Sequence, residues 1–326
     1  MKSLFTRLVL AAGSMLTLDN YVQAGVVSFG SGTNQFNMEF VKIGNPGNTA
    51  DTTGAPNPAG GVGYVYGIGK YEVSEVMIDK YNASQAGGVL QITKDTRGPN
   101  KPATSVSWNE AARFVNWLNT STGGFAAYKF DLTSTGVNDA IIQWAISDAA
   151  DYDPSNPLRS KRAKYVLPSM DEWYKAAYFN PSNNSYYDYT TGSNTAPTSV
   201  ASGDGTGVNG NNEVVYQGQA GPADVNQAGG LSPFGVMGLG GNVWEWEESF
   251  YDSINRGVRG SYWNGFAFYS SAMSRGYGTP STESDAFGFR VATLSPPPTV
   301  PEPTSMAIFG LGALGMAYRA RRKTKA

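Results

Sequence analysis

The sequence predicts a mixed α+β domain with few helices, short strands and much irregular structure. Gly occurs 40 times and Pro 18 times among 326 residues, a composition typical of loop-rich chains. Three segments carry clear helix-start signals, and short β-type pieces alternate with glycine turns as far as Val291. Aromatic residues make up 13 % of the chain, which is enough to pack the core of such a domain.

The helices are predicted in chain order from the residues that would cap them. Residues 64–73 are of β type and lead into a helix that begins after Ser74. Two further helices begin after Ser107 and Ser169, each of which is followed three residues later by Glu in the pattern of a capping box. We expect a further short helix within residues 138–147.

The chain contains neither His nor Cys. This absence excludes zinc sites built from Cys and His, haem and iron–sulfur ligation by those residues, and catalytic triads that use His. It also excludes disulfides. Carboxylate, Lys, Tyr and Ser chemistry stays open, as do cations held by oxygen ligands, such as Ca²⁺.

The N-terminus has the order of parts of a secretory signal. Lys2 and Arg7 precede the apolar residues 8–18, and small residues then precede a predicted cleavage point after Ala24. An N-terminal core helix is the alternative interpretation. A cleaved signal would require a signal peptidase as partner and would export the chain.

The C-terminus carries three further parts in order. A Pro-rich linker begins at Ser295, the Gly-rich apolar residues 306–318 follow, and five Arg or Lys residues lie between 319 and 325. The apolar stretch is short for a bilayer, which needs about 20 residues. The arrangement resembles the PEP-CTERM sorting signal of Gram-negative bacteria, which implies transient membrane anchoring, processing by an exosortase and delivery to the cell surface or extracellular matrix. A plain membrane anchor is the alternative.

These signals predict four segments and an acidic exported body. The formal charge of the whole chain is −2, but residues 25–318 hold 17 basic and 25 acidic residues, a net charge of −8. No basic stripe remains to neutralise phosphates, so we expect no nucleic-acid partner. The predicted segments are a signal peptide, a folded domain, a Pro-rich linker and a sorting tail, at residues 1–24, 25–294, 295–303 and 304–326.

The most distinctive candidate site is the segment around Glu245, which lies between Trp244 and Trp246. A carboxylate between two indoles is expected to be buried and to need a cation or a donor as partner. Glu247 and Glu248 are expected to face solvent. Arg290, next to a Phe near the end of the domain, is of a kind that commonly either snorkels to the surface or pairs with a buried carboxylate.

Six segments in order give the chain a family resemblance. They are Gly-Lys-Tyr-Glu-Val-Ser at 69–74, Lys-Pro-Ala-Thr-Ser-Val-Ser-Trp at 101–108, Leu-Pro-Ser-Met-Asp-Glu-Trp-Tyr-Lys-Ala-Ala at 167–177, the run from Phe-Gly to Trp-Glu-Trp at 234–246, Arg-Gly-Ser-Tyr at 259–262, and Gly-Phe-Arg-Val-Ala at 288–292. The chain resembles the formylglycine-generating enzyme, or sulfatase-modifying factor, domain family. This resemblance implies a complex, loop-rich variation on the C-type lectin fold.

The resemblance also implies which chemistry is missing. Oxidase members of the family hold copper with two cysteines after the Arg-Gly-Ser segment, and those places hold Asn264 and Tyr269 here. We therefore expect no copper, no iron and no zinc, and no oxidase chemistry. Trp244 and Ser261 match residues that line the oxidase pocket.

A calcium site is the one metal site that the resemblance leaves open. Its matching positions are Gly241, Val243 through its backbone, and Glu245. Gly238 stands where an upstream Asn or Asp ligand is expected. With one ligand lost, we expect calcium to bind weakly or not at all.

Two functions follow from these residues. The first is a non-catalytic exported domain whose pocket, lined by Trp and Tyr, binds a surface ligand such as an extracellular polysaccharide or a matrix protein. The second is an enzyme with divergent chemistry in the same pocket, such as glycoside hydrolysis by two carboxylates. Glu245 with Glu247, Glu248 or Asp252 would supply those carboxylates.

Overall fold

The computed structural model describes residues 24–85, 90–131, 141–202 and 211–295. Apart from Ala24 and Ser295, the predicted signal peptide, linker and sorting tail lie outside the described residues. The described residues form α-helices, two 3₁₀ turns and many short strands, so the predicted mixed α+β, loop-rich class is confirmed. The helices are α1 (Glu75–Ser84), α2 (Trp108–Thr120) and α3 (Met170–Tyr178), and the 3₁₀ turns are Gly32–Asn34 and Ala267–Ser270.

The strands are short because turns and loops interrupt them. They are β1 (Ala24–Phe29), β2 (Phe36–Ile43), β3 (Tyr66–Gly69), β4 (Lys129–Phe130), β5 (Ile141–Ile142), β6 (Tyr165–Val166), β7 (Phe179–Asn180), β8 (Ser185–Tyr186), β9 (Thr198–Ser199), β10 (Glu213–Val214), β11 (Trp244–Phe250), β12 (Arg256–Arg259), β13 (Gly276–Gly278), β14 (Phe287–Gly288) and β15 (Ala292–Thr293).

Two larger sheets organise these strands. An antiparallel five-stranded sheet has the order β1-β2-β3-β15-β6. A four-stranded sheet has the order β13-β12-β11-β14, in which β11 pairs antiparallel with β12 and parallel with β14. Strand β11 is therefore an interior strand of its sheet, and it carries the Trp-Glu-Trp segment.

The capping predictions for the helices are confirmed. In α2 the Ser107 side chain accepts from the backbone of Glu110, and the Glu110 carboxylate accepts from the backbone of Ser107. Ser169 and Glu172 make the same reciprocal pair at the start of α3. Ser74 precedes α1 as predicted, but its side chain makes no capping hydrogen bond.

The prediction of a helix within residues 138–147 is wrong for residues 141–147, the part that the structure describes. Ile141 and Ile142 form β5, which pairs with β4, and turns follow. The indole of Trp144 donates to the carbonyl of Ala127 at 2.9 Å. β-branched residues favour such a strand, and the partner strand decides the outcome over the local helix propensity.

Three fully buried indoles tie the helices to β11. Trp108 of α2 donates to the carbonyl of Glu247 at 2.8 Å, and Trp246 of β11 donates to the carbonyl of Val106 at 2.9 Å. Trp173 of α3 donates to the Glu245 carboxylate at 2.7 Å. Each buried N–H group thus has a partner, and β11 is fixed in place from two helices.

No helix among the described residues is long and apolar enough to cross a bilayer.

Candidate functional site

Glu245 is fully buried, as its position between two indoles predicts. The Arg290 guanidinium donates to both carboxylate oxygens, and the Trp173 indole donates to Oε2 at 2.7 Å. Arg290 also donates to the carbonyls of Gly69 and Met237, at 2.8 and 2.9 Å. Of the two alternatives for Arg290, the structure shows pairing with a buried carboxylate and not snorkelling. Glu245 thereby links three distant segments of the chain.

Glu247 and Glu248 are also fully buried, so the expectation that they face solvent is wrong. Glu247 pairs with Arg259 at 2.9 Å and with Arg275 at 3.2 Å. Glu248 accepts from Tyr128 and Asn156, and lies 3.4 Å from Arg159. Both faces of β11 are covered at this point, so consecutive side chains are buried on opposite sides, and each carboxylate requires its own donors.

The residues predicted for calcium do not fit a calcium ion. Both oxygens of Glu245 are already bound by Arg290, so a cation would have to displace a guanidinium that is itself buried. Gly241, which lies in a tight turn with φ +69°, has no side chain to offer, and Val243 was expected to contribute only its backbone. Ca²⁺ needs six to eight oxygen ligands, and no group of three or more acidic side chains that could hold a metal occurs among the described residues.

Gly238, in the place of the expected upstream ligand, is required by its neighbour. Its φ is +76°, and a Cβ added there would lie 2.4 Å from Oε1 of Glu72. Glu72 therefore fills the space in which a side chain at 238 would lie. Its Oε1 accepts from Asn242 at 2.8 Å, while its Oε2 is buried without a hydrogen-bond partner.

Burial gives Glu72 an unusual titration. Desolvation raises the pKa of Glu72 to about 7, because the opposing effect of Arg290 is offset by the negative charge of Glu245. The pattern Lys-Tyr-Glu-Val contains Glu72, but no local pattern links it to Asn242, which is 170 positions later in the chain. The contact between Glu72 and Gly238 could therefore not be predicted from the sequence.

Trp244 and Tyr269 meet at the surface. Their ring centroids are 5.7 Å apart, and Tyr269 lies in the 3₁₀ turn after Arg-Gly-Ser-Tyr. Phe266 and Phe268 flank Tyr269, each with its ring centroid 6.0 Å away, and they are 62 % and 58 % exposed. We call these four side chains the aromatic surface. Phe266 and Phe268 were missed in the sequence, although the run of aromatic residues between 262 and 269 could have indicated them.

Ser261 and Asn264 lie on the loop that carries the aromatic surface. Ser261 is buried, has φ +79°, and lies 3.4 Å from the carbonyl of Phe266 through its hydroxyl. Asn264 is exposed, and its Oδ1 accepts from the backbone of Gly218 at 3.1 Å. The structure thus places Trp244 and Tyr269 in contact, Ser261 beneath their loop, and Asn264 at its edge against a neighbouring turn.

Comparison with known proteins agrees with this architecture. The sulfatase-modifying factor enzyme 1-like domain family matches residues 22–294, and the PEP-CTERM protein-sorting motif matches residues 299–323. That motif implies export with a C-terminal sorting tail in Gram-negative bacteria and processing by an exosortase. None of the curated proteins matches the chain.

Two solved structures have a similar fold. Treponema denticola variable protein 1 is 15 % identical, with a TM-score of 0.53 over 83 % of this chain and 99 % of its own. A protein described as CarF is 19 % identical, with a TM-score of 0.52 over 83 % of this chain and 97 % of its own. With the family matching most of its length, the chain belongs to the sulfatase-modifying factor family, and it is an exported member of that family with a PEP-CTERM tail.

Proposed function

We propose that this protein is a surface-sorted member of the family that has no oxidase activity and binds glycans through its aromatic surface. The observation that carries the proposal is the group of exposed rings around Tyr269, where the family resemblance places a pocket. Export would begin with signal-peptide cleavage after Ala24, and the exosortase would deliver residues 25–294 to the cell surface or extracellular matrix.

The lack of oxidase activity rests on the copper positions. A copper thiolate site needs Cys, and the chain has none. Asn264 and Tyr269 stand at the two expected positions, where they offer an amide and a phenol. The Asn264 oxygen is already bound to the backbone of Gly218. These residues hold the loop and present aromatic surface instead of binding copper.

Glycan binding follows from the chemistry of the exposed rings. Aromatic faces bind the C–H faces of saturated sugar rings, while a phenol hydroxyl and amide groups bind sugar hydroxyls. Tyr269 provides a ring and a hydroxyl, and it is 38 % exposed. The amide nitrogen of Asn264 donates to no group among the described residues, so it is available to a ligand. The C-type lectin fold that the family resemblance implies adds support by analogy.

The alternative function, hydrolysis by two carboxylates, has weaker support. It needs two carboxylates on either side of a reachable sugar bond. Glu245 and Glu247 are fully buried and bound by Arg290 and Arg259, and Asp252 is exposed on a turn that its own oxygens stabilise. None of these acids faces the aromatic surface together with another acid in the described contacts.

A glycan array tests the proposal. The full-length chain, solubilised in mild detergent and fluorescently labelled, is applied with calcium and with EDTA. We expect binding to a defined group of glycans and the same pattern in both conditions, since Arg290 binds both oxygens of Glu245. Binding to no glycan, or identical binding by a Tyr269→Ala variant, would remove the proposed function.

A further inference from the structure

A cavity of about 570 Å³ lies away from the aromatic surface. Its walls come from residues 61–65, the loop 153–161, the start of α3, and the end of β11. None of the residues predicted as pocket or calcium ligands lines it. Its volume is within the range of about 300–1,000 Å³ that is typical of small-ligand sites.

One wall is a network of hydrogen bonds and ion pairs around Arg159, which is buried. Its guanidinium donates to the two oxygens of Glu172 at 3.2 and 3.0 Å and to the Tyr64 hydroxyl at 3.2 Å, and lies 3.4 Å from Glu248. The Tyr64 hydroxyl in turn donates to Glu172 at 2.6 Å. Three N–H groups of Arg159 therefore donate to the protein and its Nε faces Glu248, so its charge is compensated by carboxylates of the protein. The Tyr64 ring is held in place and is 44 % exposed as a wall.

Two aspartates on the cavity wall have an oxygen to spare. Asp171 accepts from the backbone of Gly60 at 2.7 Å through Oδ1. Asp153 accepts from the backbone and hydroxyl of Ser155, at 2.8 and 2.7 Å, also through Oδ1. Within the described residues, Oδ2 of each has no hydrogen bond or ion pair. These free oxygens accept hydrogen bonds, so the ligand has to donate them.

The charge balance of the cavity points the same way. Asp153, Asp171 and Glu248 are the acidic residues of the lining, and Arg159 and Lys161 are its basic residues. Three carboxylates against two cations leave an excess of one negative charge. An anionic ligand would be repelled, while an ammonium group would be attracted.

We infer that this cavity is a second ligand site, for a sugar that carries a free amine. The Tyr64 ring provides a face for the saturated ring, and the spare oxygens of Asp153 and Asp171 accept from its ammonium and hydroxyl groups. The site is separate from the proposed glycan surface around Tyr269, so either can be present without the other.

Titration calorimetry on the detergent-solubilised full-length chain tests this inference with three trisaccharides. These are the trimers of glucosamine, of N-acetylglucosamine and of galacturonic acid. We expect saturable binding of the glucosamine trimer, at least tenfold weaker binding of the acetylated trimer, and no binding of the uronate. Asp153→Asn and Asp171→Asn should each weaken binding of the glucosamine trimer at least fivefold. Asp285→Asn, at an exposed carboxylate outside the cavity, should leave it unchanged.

Three outcomes would overturn the inference. They are absence of glucosamine binding, equal or tighter binding of either other trimer, and unchanged affinity in both cavity variants whose circular dichroism and melting match the wild type. A loss of binding in Tyr269→Ala but not in Asp153→Asn would move the amino sugar to the aromatic surface. That result would overturn the second site while leaving the proposed function intact.

Discussion

Glu245 is a candidate calcium ligand by sequence, but in the structure it is one half of a buried ion pair. The carboxylate is buried with Arg290, and the pair is completed by an indole N–H and two backbone carbonyls. Removing one member of such a pair leaves the other charge buried without a partner. The desolvation cost of that charge then destabilises the fold more than the lost attraction does. These contacts compensate the buried charge of the carboxylate in the Trp-Glu-Trp segment, and no metal is needed for that.

The Glu245→Gln variant should therefore be much less stable than the wild type. We expect a loss of about 3–5 kcal/mol in the free energy of unfolding, because Arg290 keeps its charge without its partner. The measurement is chemical denaturation with and without EDTA, and EDTA should change neither protein. Asp285→Asn is the control, since its carboxylate is largely exposed and lies 3.7 Å from Arg97. A wild type that EDTA destabilises to the level of the variant would show that calcium is bound after all.

Glu72 should make the stability depend on pH. Its pKa is raised to about 7 in the folded protein, above the ordinary value of 4.5, so the folded state binds more protons between these values. The stability that Glu72 contributes is fully present below pH 4.5 and is lost as the pH rises through 7. We expect Glu72→Gln to gain stability relative to the wild type between pH 5 and pH 8. Melting temperatures of both proteins across this range test it, and a difference that stays constant with pH would contradict it.

The capping boxes are the elements that local sequence predicts best. The Ser and Glu of each capping box lie within four residues of each other, so a short stretch of sequence shows both partners of the interaction. The burial of Glu247 and Glu248 could not be predicted in this way, because their partners Arg259 and Arg159 come from other elements. Two consecutive acidic residues in a strand are normally exposed. Here both are buried, because both faces of β11 are covered at this point.

The Ser107→Ala variant should lose about 0.5–2 kcal/mol of stability, because the first turn of α2 and the Glu110 carboxylate both lose a partner. The matched control is Ser74→Ala at the start of α1, where the serine precedes a helix but makes no capping bond with its side chain. Urea denaturation of the two variants compares the sites. Equal losses would show that the capping box adds nothing to α2.

At the scale of the whole molecule, the fold class and the family were predictable, but the binding surfaces were not. Six motif segments spread over residues 69–292 identify the family because they occur in order. The cavity beside Arg159 is formed by segments that are about 90 residues apart in sequence. No local pattern links Tyr64 to Asp153, so such a site becomes visible only in three dimensions.

The whole chain should have no formylglycine-generating activity. It contains no thiolate for copper, and the loop after Arg259 is closed by hydrogen bonds from residues 217–219 to residues 263–265. The assay incubates the purified chain with Cu(I) and a sulfatase peptide containing Cys-x-Pro-x-Arg, and follows the aldehyde by mass spectrometry. A family member that has both cysteines is the positive control. Aldehyde formed by this chain would require another route to the same oxidation.

The central claim, that the aromatic surface binds glycans, is tested most directly by titrating one glycan into matched variants. The strongest ligand from the array is titrated into the full-length wild type, Phe268→Ala, Tyr269→Ala and Phe125→Ala. Phe125 is 49 % exposed in the loop after α2, where it stacks on Arg162, and it serves as the control. We predict at least a tenfold rise in Kd for Tyr269→Ala, a smaller rise for Phe268→Ala, and no change for Phe125→Ala. Equal affinity in all four proteins, with unchanged melting temperatures, would contradict the claim.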